Sequence, residues 1–200
     1  MKWRFLAVLA IVGFYFPCEA RAAGRATVIT SRALGIRVTR PAGWHTLTAS
    51  EHEENLERVD MNPDVRSLAI NVSGTALIVT KFKEPYGNLN PSVEIDVRDA
   101  GDLEGESASY ILNAALDSLL ADGQLVTNVQ DTTVGGRPAA YVRVDHVLRV
   151  RGKAFPTASE LWVIPRGRYF VLIDAGTRVD QTNGTRAEVH RVVQSIRFTR

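Results

Sequence analysis

The sequence predicts an α+β fold in which an antiparallel β-sheet is flanked by helices on both faces, and three observations lead there. Between Val134 and Gly176, three apolar β-runs follow one another with turn residues between them. The last of these, Tyr169 to Asp174, is apolar on both sides, with Tyr169, Val171 and Ile173 alternating against Phe170 and Leu172. A strand with two apolar faces has to be covered twice, which calls for a layer on each side of the sheet. The third observation supplies the cover. Ala108, Leu112, Ala115, Leu116 and Leu119 form one helical stripe, and Val189, Val192, Val193 and Ile196 form another.

Taken in order, the chain begins with Lys2 and Arg4, an apolar run from Phe5 to Phe16, and the small-x-small sequence Ala20-Arg21-Ala22. That is the layout of a secretory signal over residues 1–22, cleaved after Ala22. The run falls short of the roughly 20 residues a membrane span needs, so no stable span is expected after processing. Tyr15, Phe16 and Pro17 precede Cys18, where a lipoprotein signal carries small residues, so lipidation is the lesser reading. Without residues 1–22 the chain holds 21 basic and 21 acidic residues and no cysteine. A neutral chain is poorly suited to sequence-independent nucleic-acid binding, which rests on many Lys and Arg contacts to phosphate. Without disulfides, stability has to come from the core. The remaining 178 residues suit a single domain able to bury roughly 70% of its unfolded surface.

Residues 23–33 read as a linker or a short strand, and residues 34–200 as the domain itself. Leu34, Ile36 and Val38 alternate with polar residues before Arg40-Pro41-Ala42-Gly43 breaks the strand and delivers Trp44. Ser50 and Glu53 have capping-box spacing for a short helix with Leu56 and Val59 on its apolar edge. Leu68, Ile70 and Val72 make a strand that turns at Ser73-Gly74 into another, Thr75 to Lys83. Val93, Ile95 and Val97 form a strand whose other face is Glu94, Asp96 and Arg98. Ser107 is placed to cap the first long helix and Gly123 to end it. Gly135-Gly136 leads into a strand with Ala140, Val142, Val144, His146, Leu148 and Val150 on one face and Tyr141, Arg143, Asp145, Arg149 and Arg151 on the other. Pro165 to Arg168 joins the second and third runs as a hairpin, and Thr185 with Glu188 gives the last helix its own capping box.

Four stretches in this order carry a resemblance: Ile36 to Trp44, Asn90-Pro91-Ser92-Val93, Val134 to Ala140, and Ser195-Ile196-Arg197-Phe198. With their spacing, the pattern resembles the PsbP-like superfamily and, within it, the DcrB-type bacterial envelope proteins. The resemblance covers residues 34–199 and implies an α/β/α sandwich and a binding or assembly role, without a catalytic residue to transfer.

The chemistry-bearing residues favour structural readings. Alternation sets His146 and Asp145 on opposite faces, so His146 is expected to be a hydrogen-bonded core residue. His52 lies among Glu51, Glu53 and Glu54, where acidic residues already suit a helix N-terminus and no second His stands at ligand spacing. Glu94, Asp96, Asp99, Asp102, Glu104 and Glu106 read as a solvated face, since they do not match a calcium-loop spacing. There is no Gly-x-Ser-x-Gly, and no thiol outside residues 1–22. No catalytic residue, cofactor or metal ligand is therefore assigned.

The expectation is an exported, non-enzymatic envelope protein, periplasmic or secreted, that binds a protein or assembly partner. Its contact surface is expected on the outer face of the long strand and the adjoining Arg151 to Thr157 loop, through Arg149, Arg151, Lys153 and Phe155. Two alternatives stand beside it: a carrier of an apolar or lipid ligand, and a small hydrolase built from scattered residues such as Trp44, His45 and Asp174.

Overall fold

The structure, a computed structural model, describes residues 25–32, 34–59, 77–119, 125–150, 152–180 and 186–199. The expected signal, the strand Leu68 to Val72 with its turn, Gly123 and Thr185 lie outside the described residues. In chain order the strands are β1 (Thr27–Ser31), β2 (Ile36–Arg40), β3 (His45–Leu47), β4 (Leu77–Thr80), β5 (Ser92–Asp99), β6 (Leu125–Val126), β7 (Gln130–Val134), β8 (Arg137–Val150), β9 (Lys153–Arg166), β10 (Tyr169–Arg178) and β11 (Arg197–Phe198). The helices are α1 (Ala49–Leu56), α2 (Ala108–Leu119) and α3 (Arg186–Gln194).

Eight strands build one antiparallel sheet in the order β3-β4-β5-β10-β9-β8-β6, with β7 also paired to β8. At its centre, every residue of β9 from Thr157 to Ile164 is buried, which is how a strand covered on both faces must look. Alternation then divides the core. Trp162 and Ile164 enter a cluster with Val189, Val192 and Val193 of α3 and with Ile196, whereas Leu161 and Val163 enter a second cluster with Ile111, Leu112 and Leu116 of α2. The α2 stripe read from the sequence is therefore widened by Ile111, which is buried beside Leu112.

Contacts that no local pattern announces hold α3 in place. A smaller sheet, β1-β2-β11, adds Ile36 and Val38 to the α3 cluster, joined by Leu34 just before β2, with Phe198 of β11 opposite Ile36. The Ser195 hydroxyl accepts the Thr39 N–H at 2.9 Å, and the Thr199 N–H reaches the Gly35 carbonyl at 2.9 Å. In the first turn of α3, Glu188 pairs with the buried Lys81 that follows β4. Gly135 must be a glycine in this arrangement. Its φ is 58°, and a Cβ there would meet the Ile196 carbonyl oxygen and the Phe198 ring at 3.0 Å.

Three local expectations need correction. The cap of α1 is Thr48, whose hydroxyl accepts the Glu51 N–H at 3.2 Å while the Glu51 carboxylate accepts the Thr48 N–H at 2.8 Å. The box thus sits two residues ahead of Ser50 and Glu53, because extended backbone at Thr48 starts the helix earlier. The segment after Gly152 is strand and not loop: Gly152, at φ 75°, permits a tight turn, and β9 pairs with β8 from Lys153 onward. The acidic run is not uniformly solvated. Asp102, Glu104 and Glu106 are exposed, but Asp96 is buried and held 2.5 Å from Arg98. Ser107 does cap α2, accepting the Tyr110 N–H at 3.1 Å.

Because Val193 is 4% exposed in the α3 cluster, a charge there cannot reach water without undocking the helix. Val193→Asp should lower stability by at least about 2 kcal/mol, read as a drop in the urea midpoint. An unchanged midpoint would mean that α3 does not contribute to the core.

Candidate functional site

The densest polar constellation in the described structure assembles where α3 meets β8 and β9. Cross-strand pairing sets Tyr141 against Trp162 and Arg143 against Glu160, so all four side chains lie on the face that α3 packs upon. From α3, Arg186 and His190 stand four residues apart and reach the same spot. Glu160, with its side chain 1% exposed, accepts from Arg186 Nε at 2.8 Å, from His190 Nε2 at 3.0 Å and from the Tyr141 hydroxyl, all through Oε1. Arg186 Nη2 also donates to the Tyr141 oxygen at 2.9 Å. Burial pushes the Glu160 carboxyl up, but the bonds from His190, Tyr141 and Arg186 outweigh it and hold it below the ordinary value of 4.5. An ionised carboxylate only accepts, so Nε2 of His190 carries the hydrogen. Burial, reinforced by the hydrogen bond to Glu160 and its charge, pushes the Tyr141 phenol up to about 12.

Above this cluster is a cleft of about 280 Å³, walled by the β7–β8 turn from Thr132 to Gly136, by Tyr141 and Trp162, and by Arg186, His190 and Gln194 of α3. The Trp162 ring meets His190 edge-on at 5.4 Å and Tyr141 at 5.0 Å, which fixes the aromatic wall.

A second buried polar set lies on the opposite face of the sheet. Ile78, Glu94, Asp174, Leu161 and Val142 form a single row across five strands. Glu94 and Asp174 are thus direct cross-strand neighbours, in the arrangement where like charges destabilise a pair. Burial, then the neighbouring charge of Asp96, pushes Glu94 up to about 7 against a weaker pull from Arg98. Asp174 is raised well above its ordinary value, first by burial and then by Glu94. Among the described residues its Oδ1 has no hydrogen-bond partner, and neither does the nearby Ser92 hydroxyl.

The residues expected to bind a partner fall in different places. Arg149 is exposed and faces the same way as Ala154, its cross-strand partner. Lys153 is exposed opposite Val150, and Phe155 opposite Leu148, so both lie on the other face. Phe155 is buried with Val150 and Leu148, under an Arg178 guanidinium 5.2 Å from its ring. Arg151 lies outside the described residues. His146 is a half-buried strand residue whose Nε2 is 3.0 Å from the Ser159 hydroxyl, as expected of a core histidine. Trp44 belongs to the α3 cluster, on the other face from Asp174, and His45, whose row shares the Asp174 face, pairs on β3 three strands away, so these three are not brought together.

No family model and no curated protein matches the chain. Solved structures do match. The solution structure of cyanobacterial PsbP (CyanoP) from Synechocystis aligns with 92% of this chain and 98% of its own, at 11% identity and a TM-score of 0.52. The fold is PsbP-like. LpqN, involved in cell envelope biogenesis of Mycobacterium tuberculosis, aligns over 88% of this chain and 91% of its own, at 14% identity and a TM-score of 0.51. A Bacteroides thetaiotaomicron protein aligns over 89% of this chain at 12% identity and a TM-score of 0.49, and this chain spans about half (49%) of its length. At these identities the likeness concerns the fold alone.

On this PsbP-like fold, the residues that sequence reasoning passed over are Tyr141, Glu160, Arg186 and His190. The one available signal was Glu160 itself, an acidic residue that alternation sets in line with Trp162 and Ile164 on a core-facing side.

The Glu94 and Asp174 pair predicts a pH dependence whose sign is fixed. Both carboxyls keep their protons to higher pH when folded than when unfolded. For Glu94 that stabilisation is complete below about pH 4 and is lost as pH rises through about 7, and Asp174, also raised, loses its own in the same direction. Burial lowers His52 and His146, which act in the opposite direction, so the pair is isolated by comparing wild type with Asp174→Asn. The variant should gain stability relative to wild type between about pH 5 and about pH 8 in chemical denaturation. Parallel curves would show that Asp174 ionises as it does in water.

Proposed function

We propose that the chain is an exported, non-enzymatic envelope protein that acts by binding a protein or assembly partner. Support for export comes from the tripartite arrangement of residues 1–22 and from the envelope role stated for LpqN, whose fold this chain shares. No helix among the described residues is long and apolar enough to cross a membrane. The α/β/α arrangement of a DcrB-type protein is supported by α2 and α3 belonging to separate clusters fed by alternate residues of β9.

One observation carries the binding reading: the β8–β9 hairpin runs past its neighbours. Among the described residues, β8 and β9 pair only with each other beyond Asp145 on one side and Thr157 on the other, apart from one bridge from Val59 to Val150. This overhang displays Val147 at 58% exposure with Arg149, while Val179, 50% exposed, hydrogen-bonds beside it to the Pro156 carbonyl at 3.2 Å. Apolar side chains with an Arg at their edge, on a hairpin anchored by buried Phe155, form a rigid and partly desolvated contact surface. In this reading Arg149 makes the polar contact beside Val147, Arg151 and Lys153 contribute from the turn end of the hairpin, and Phe155 supports it from behind. The rival carrier reading has less support. Charged side chains stand in the walls of the cleft above Glu160 and of a second one beside Arg32, Asp99 and Arg166.

Two measurements check this. Protein purified from the envelope of its own cells should begin at Ala23 by intact mass. A chain that still carries Met1, or a diacylglyceryl group on Cys18, would overturn the export route. A photocrosslinker at Val147 should give one discrete adduct in those cells, weakened by Arg149→Glu and absent when the probe is moved to Tyr110, exposed on α2. Equal labelling from both positions would remove the hairpin as the contact surface.

A further inference from the structure

From the cleft between α3 and the β7–β8 turn, we infer a binding site for a small oxyanion, a carboxylate or a phosphate, held by Arg186 with Gln194 at its rim. This inference does not depend on the partner-binding reading. The ionisable side chains among the described residues lining the cleft are Tyr141, Arg186 and His190, and no carboxylate is among them. Glu160 lies beneath the cleft without lining it, and its Oε2 is buried without a partner among the described residues.

The directions of the hydrogen bonds decide what the cleft can offer. Tyr141 gives its only hydrogen to Glu160, and His190 commits Nε2–H to the same oxygen. Arg186 spends Nε on Glu160 and one Nη2 hydrogen on Tyr141. Its Nη1 makes no hydrogen bond among the described residues. The side chain is 51% exposed, so this end of the guanidinium is the charged donor left for a ligand. The buried carboxylate fixes the plane of that guanidinium, so little side-chain freedom is lost when it binds a second anion. The Thr132 hydroxyl and the Gln194 amide add neutral donors around it, and Trp162 closes the wall behind. At about 280 Å³ the cleft holds one charged group on a short stem and no extended chain. A carboxylate could come from a free metabolite or from an acidic side chain of another protein, and phosphate from solution. The shared chemistry is an oxyanion meeting a fixed Arg edge.

Isothermal titration of the chain from Ala23 to Arg200 with acetate, inorganic phosphate and N-acetylglutamate tests the site. Saturable binding of at least one probe at millimolar concentration is expected, and N-acetylglutamate should exceed acetate if the natural source is an acidic side chain. Arg186→Gln should weaken binding at least about tenfold, the scale of losing one charged hydrogen bond. That variant also uncovers Glu160, so a second one keeps the test clean. Gln194 is exposed, and Gln194→Glu should leave the thermal midpoint unchanged while abolishing binding by charge repulsion at the rim. Absence of saturable binding by all three probes, or binding that survives Gln194→Glu, overturns the inference.

Discussion

Burial of β9 and β10 on both of their faces is the constraint on which the rest of the structure depends. Side chains alternate, so Leu161 and Val163 need a different cover from Trp162 and Ile164, and likewise Phe170 from Val171. The apolar stripe of α2 meets one requirement. The other is met jointly by α3 and the small β1-β2-β11 sheet, whose Ile36 and Val38, with Leu34 just before β2, lie in the same cluster as Val189, Val192 and Val193. The connection between chain ends follows from this. β11 reaches β2 because both border the helix that closes that face.

Where polar groups enter this interior, the two faces treat them differently. Glu160 stands in a row with Val79, Val93 and Ala175, yet remains ionised because three donors converge on one oxygen. Two of those donors come from α3, so the charge that would oppose folding instead helps to orient the helix. Glu94 and Asp174 face each other across a strand pair with no such convergence of donors among the described residues, only a backbone bond from Ala175 to Asp174, so burial is met by proton retention instead. The same type of side chain, buried in the same sheet, is thus a fixed anion on one face and a proton-holding pair on the other.

The hairpin that overhangs the sheet belongs to the same plan. Lys153 to Pro156 extend β9 past the end of β10, and Phe155 with Val150 and Leu148 gives that extension a small core of its own. Arg178 covers the Phe155 ring while its Nη1 donates to the Asn88 side-chain Oδ1 at 2.6 Å, tying the arm to the loop before β5. This anchoring leaves Val147 and Arg149 exposed on a stiff element rather than on a mobile loop.

How far the sequence determines this protein depends on the range of the interaction. The class of fold, the three central runs, both helical stripes, the turns at Gly135-Gly136 and Gly167 and the Ser107 cap were legible, because each is written in neighbouring residues through period, turn chemistry or capping. Alternation alone separated His146 from Asp145. It did not reveal that Asp96 is buried, since a polar half-strand looks the same in water and in a lined interior. The Arg151 to Thr157 stretch looked like a loop because Pro156 and Gly152 weaken strand signals, whereas pairing with β8 decides otherwise. The candidate cleft was invisible for a simpler reason. Tyr141, Glu160, Arg186 and His190 are spread over fifty residues, with no spacing that links them. Only the register of β8 on β9 and the docking of α3 bring their atoms within hydrogen-bond distance.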